Sequence, residues 1–151
     1  MHERIIDLII YFVTELRAQK RLKDIDTTSL SQRGYSTVEI STAYSWVHER
    51  LRNGQPTQLT TAIARQSFRV LNEAERMVIE QQSFGYLMQC HQLSLISNEE
   101  VEGVIERCMS SNNETVTLSE IKFFIGSVLF EKEMHKNIHA RIMLDNPDSI
   151  H

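Results

Sequence analysis

An all-α fold is predicted for this chain, and three observations carry the prediction. Four helix-start signatures recur: Ser36-x-x-Glu39, Asn72-x-x-Glu75 (a looser version), Ser97-x-x-Glu100 and Thr117-x-x-Glu120. In each, the first side chain accepts from the backbone N–H of the fourth residue, and the glutamate reaches back to the first residue's N–H. Two donors that a helix start leaves orphaned are thereby satisfied. Apolar residues follow these signatures at the helical period. Glycine and proline number only 5 and 2 in 151 residues, so few breaks interrupt the pattern. The expected architecture is a helical bundle with a helix-turn-helix-like N-terminal half and a three-helix acidic C-terminal half. A short β-hairpin, wing-like in position, is the one strand pairing for which the sequence leaves room.

The first helix is expected over about 3–19. Ile5, Ile9, Phe12 and Leu16 share one face, and Ile6, Ile10 and Val13 widen it into an arc covered on more than one side, by the fold or by a second subunit. A short helix over about 26–33 stops at Gly34, which adopts a left-handed conformation cheaply. The helix opened by Ser36 carries Ile40, Ala43, Tyr44, Val47 and Leu51 at helical spacing and ends at Asn53-Gly54. Residues 54–71, "GQPTQLTTAIARQSFRVL", contain no acid, and Phe68/Val70 alternate with Arg69, which fits a short strand paired with Gln58–Ala62. Further helices are expected over about 73–92, 98–110 and 118–135. The middle one places Val101, Val104, Ile105, Cys108 and Met109 on one stripe. The last is apolar nearly all round, from Leu118 through Ile121, Phe123, Phe124, Ile125, Val128, Leu129 and Phe130, which predicts a central position in the bundle. Gly126 within it costs about 1 kcal/mol relative to Ala, so a close helix crossing is expected there.

These elements divide the chain into an N-terminal subdomain with its connecting segment (1–71), a C-terminal subdomain (72–135) and a tail (136–151). At this length roughly 68–70% of the unfolded surface is buried on folding, enough for a core without staples. Only Cys90 and Cys108 are present, with no CxxC, so a reduced, cytoplasmic chain is expected. "IIDLIIYFV" (5–13) is nine residues interrupted by Asp7, against the ~20 apolar residues of a membrane span, so no membrane role is expected. The net charge of −4 hides an asymmetry: residues 1–71 hold ten Lys/Arg against seven Asp/Glu, and residues 72–135 hold four against eleven. Phosphate neutralisation drives nucleic-acid binding, so the acidic half argues against a protein that coats nucleic acid.

No constellation of residues assembles a catalytic, cofactor or metal site. His135 and His139 lie at i, i+4, but Lys136 follows the first where a zincin carries Glu, and Glu131 as a third ligand leaves the set incomplete. Cys90-His91 are adjacent and so do not face each other on a helix, and Cys108 reads as a small core hydrophobe. Glu99, Glu102 and Glu106 form an acidic stripe, either a solvated face or a dock for a basic partner. Arg17, Lys20, Arg21 and Lys23 close the first helix, where cations complement its negative end. In the helix opened by Ser36, the solvent-side candidates Thr37, Glu39, Ser41, Thr42, Ser45, His48 and Glu49 offer no bidentate donor to a base edge, and Arg50 and Arg52 come only at the far end.

The stretches "RVLNEAE" (69–75), "LSLISNEEVEGVIERCM" (93–109) and "LSEIKFFIGSVLF" (118–130) resemble the bacterial Smg family, a group of uncharacterised proteins. In the first half, "LSQRGYSTVEISTAYSWV" (30–47) is similar to the family's Leu-x-x-x-Gly-aromatic, Ile-x-x-Ala and Trp pattern. The likeness covers about 1–135 and is more specific in the second half; residues 54–67 depart from it and look shortened. It implies no catalytic residues and no cofactor. Ile105, Glu106, Arg107 and Lys122 match the pattern, with packing and surface pairing as their implied roles. The expectation is a non-enzymatic cytoplasmic adaptor or regulator that binds another protein, with homo-oligomerisation left open. The alternative is a winged-helix-like nucleic-acid-binding protein, binding weakly through Arg65, Arg69 and the basic cluster.

Overall fold

The computed structural model describes residues 2–53, 69–111 and 114–145, with side chains for 3–53, 69–111 and 114–131. Among these residues the fold is helical: α1 His2–Arg17, a single 3-10 turn Leu22–Asp24, α2 Thr28–Gln32, α3 Thr37–Arg52, α4 Glu73–Val78, α5 Gln81–Gln92, α6 Asn98–Ser110 and α7 Leu118–Asp145. Gly54, the hairpin partner 58–62, Phe68, Arg65 and residues 146–151 lie outside the described residues.

Local chemistry sets most of these boundaries. The capping boxes at Ser36, Asn72 and Ser97 are complete, each side chain accepting from the glutamate N–H while the carboxylate takes the cap N–H. Thr117 and Glu120 exchange the same pair of bonds at 3.3 and 3.4 Å. Three helix ends share a second device. Lys20 N–H donates to Glu15 O and Gln19 N–H to Leu16 O; Tyr35 to Leu30 and Gly34 to Ser31 repeat the pattern, as do Leu95 to Cys90 and Ser94 to His91. Each is a Schellman closure, which needs a left-handed residue: Gly34 at φ 93°, but also Gln19 at 66° and Ser94 at 60°. The first helix therefore ends at Arg17, and Lys20, Arg21 and Lys23 lie beyond it rather than in its last turn.

The expected single helix over 73–92 is two. Ile79 is extended and pairs in parallel with Val116; Val116 N–H donates to Val78 O, and Glu80 N–H to Val116 O. The buried Ser83 hydroxyl donates to the same Val116 carbonyl at 3.1 Å. The last helix, in contrast, runs on to Asp145, past the expected end at about 135. Arg69 and Val70 belong to no helix or strand, so the strand expected there is not observed.

Contacts between helices fix their directions. Ser119 bonds Glu3 and Lys122 bonds Asp7, so α1 and α7 rise together. Tyr86 bonds Asp7 and Arg17 bonds Ser94, so α5 rises with them. Arg4 bonds Glu39 and the Phe12 ring meets Tyr44 edge-on, so α3 does too. The chain turns back through α6, which packs on α4, α5 and α7. At the centre stands α1, burying Ile5, Ile6, Leu8, Ile9, Ile10, Phe12, Val13 and Leu16. Each such side chain contributes about 1.5–3 kcal/mol when fully buried. As its expected central place implies, α7 packs on α1, α5 and α6. It buries Ile121, Ile125 and Leu129 and packs Leu118, Phe124, Val128 and Phe130 partly against the core, but leaves Phe123 58% exposed. Buried residues from Ile5 to Leu129 form one core cluster.

Candidate functional site

Asp7, which interrupts the apolar run of α1, is the hub of a polar cluster. Its carboxylate accepts from the Tyr86 hydroxyl at 2.8 Å and from Lys122 Nζ at 3.1 Å. The ammonium also lies 5.0 Å from the centre of the Tyr86 ring. Burial pushes the Tyr86 phenol well above its ordinary range, and neighbouring Cys90 and Asp7 add to the effect, so the group stays protonated and donates. One carboxylate thus ties α1, α5 and α7 together. Neither Asp7 nor Tyr86 announces this role in the sequence, because the partners lie 79 and 115 residues away.

The other predicted site residues scatter. Arg69 clamps Glu75 with two bonds of 3.0 and 2.8 Å and reaches Glu102 at 2.6 Å. Its guanidinium pKa is raised by these carboxylates, Glu75 first. This arrangement fastens the entry of α4 to α6 and neutralises the middle of the acidic stripe, leaving Glu99 and Glu106 exposed on either side. Lys20 pairs with Glu15, which raises its pKa, and Arg17, whose pKa burial lowers, donates to Ser94.

On α3, Glu39 is not on the solvent side as expected. It is buried, accepts from Arg4 at 2.8 Å, and is held below the usual carboxylate range by the Ser36 N–H and then Arg4. The exposed hydroxyls of Ser41 and Thr42 both donate back to the Val38 carbonyl. Burial pushes the thiols of Cys90 and Cys108 up to about 12 and about 11, with Glu120 adding to the effect at Cys108. Cys90 is fully buried whereas His91 is half-buried, as adjacent helix positions require. Among the described residues no group of three His, Cys, Asp or Glu could hold a metal, and no helix is long and apolar enough to cross a membrane. The His135 and His139 side chains fall outside the described residues.

The surface feature that sequence reasoning missed is on α7. Phe123, expected in the core, is exposed beside the half-buried Phe124, their rings 6.1 Å apart and edge-to-face. Ser119 and Ser127 lie one turn to either side: the first donates to Glu3 and the second to the Phe123 carbonyl. Ile121, Ile125 and Leu129, on the packed face of the same helix, are fully buried.

Comparison with known proteins gives one consistent answer. A family described as "Protein of unknown function (DUF494)" matches residues 5–151. A "Protein Smg homolog" of Shewanella pealeana is 33% identical over 127 residues, covering 81% of this chain and 80% of its own. Those of Methylococcus capsulatus, at 28% with 94% and 92% covered, and of Xylella fastidiosa, at 27% with both chains fully covered, are similar end to end. No solved structure matches. The likeness read from the stretches at 69–75, 93–109 and 118–130 therefore holds across the chain, which belongs to the Smg family.

Proposed function

We propose that this protein is a non-enzymatic cytoplasmic adaptor or regulator that binds another protein, and that the aromatic pair on α7 is its point of contact. The observation that carries the reading is the exposure of Phe123, edge-on to Phe124, on a helix whose other apolar stripe is fully buried. A large aromatic ring on a rigid element is the side-chain chemistry that dominates protein interfaces, where aromatics are enriched and a few anchors supply most of the binding energy. The Asp7–Tyr86–Lys122 cluster and the Glu3–Ser119 bond hold α7 against α1, so the ring is presented on a fixed frame.

The helix-turn-helix-like order of α2, the Gly34 turn and α3 is the feature that favours nucleic acid. Against it, the Ser41 and Thr42 hydroxyls are spent on the Val38 carbonyl and Glu39 on Arg4. Base readout needs donors such as Arg, Asn or Gln in those first turns. Arg69, one of the two arginines of that reading outside the basic cluster, is occupied by two carboxylates.

Affinity capture from a bacterial lysate tests the proposal. The parent chain should retain a protein partner with and without nuclease, and Phe123→Ser should lose it while melting normally. Partners that vanish with nuclease, or that Phe123→Ser retains in full, would contradict it.

A further inference from the structure

We draw no further inference here: the strongest candidate, the surface patch that the exposed Phe123 makes with Phe124 on α7, belongs to the contact already proposed, and nothing in the structure shows what covers it.

Discussion

Asp7 reads in the sequence as a flaw in an apolar helix, yet the fold uses it to gather two donors that would otherwise be stranded. Removing the carboxylate leaves Lys122 and Tyr86 part-buried without their acceptor. Asp7→Ala should therefore cost about 1–3 kcal/mol, the penalty of orphaned polar groups. Adding Lys122→Met should restore part of that loss, because the stranded charge is then gone. A double mutant as unstable as the sum of the two singles, measured by urea unfolding, would show that the groups are not coupled. Glu39 and Glu75 carry a second consequence. Both are held below the ordinary carboxylate range, Glu39 by the Ser36 N–H and then Arg4, Glu75 by Arg69 and then the Asn72 N–H. At low pH the unfolded chain then binds more protons than the folded one. Their stabilisation is complete above the ordinary value of about 4.5 and is lost as pH falls toward the lower folded value. Urea midpoints should hold from neutral pH down to that range and then drop, and Glu75→Gln should drop less than the parent. An equal drop would contradict the role given to the Arg69 clamp. The capping role of both glutamates is legible in the sequence, since it needs only a neighbour three residues away. Their arginine partners are not equally so: Arg69 lies six residues before Glu75, and Arg4 thirty-five before Glu39.

Helix starts in this chain are easier to read than helix ends, for a physical reason. Starts depend on side chains that must be Ser, Thr, Asn and Glu, whereas a Schellman closure depends on backbone geometry that glycine merely makes cheap. Gly34 marks its end in the sequence; Gln19 and Ser94 do the same work without the signal. A left-handed non-glycine residue costs roughly 1–2 kcal/mol, against about 0.5–1 kcal/mol of extra chain entropy for glycine. Gln19→Gly should accordingly raise stability by about 0.5–1 kcal/mol in thermal or urea unfolding, and a loss of stability would mean that the turn is held otherwise. The break between α4 and α5 was invisible because its cause, the pairing of Ile79 with Val116, is not local. On α7, Gly126 is buried, next to the buried Ile125. Gly126→Leu should overpack its surroundings and cost about 1–3 kcal/mol, despite leucine's better helix propensity. A more stable variant would show that the space around Gly126 has room.

Across the whole molecule, α1, α3, α5 and α7 point the same way, so their dipoles add rather than cancel. Acids gather at the shared N-terminal end (Glu3, Glu39, Glu120), and at the other end Arg17, Arg50 and Arg52 close their helices. Both sets complement the aligned helix dipoles, although Lys20, Arg21 and Lys23 lie beyond the end of α1 and take no part in this. Composition and capping chemistry made the helical class legible, and the family likeness was carried by local stretches. The exposure of Phe123 was not, because an exposed and a buried Phe look identical until the packing of α1, α5 and α6 decides which faces of α7 remain. The proposed function has partners held on α7 and not on α3. Hydrogen exchange on the captured complex separates the two: backbone amides over 118–131 and the first turns of α1 should gain protection, with 36–52 unchanged. Protection concentrated on 36–52, and lost when the complex is treated with nuclease, would contradict it.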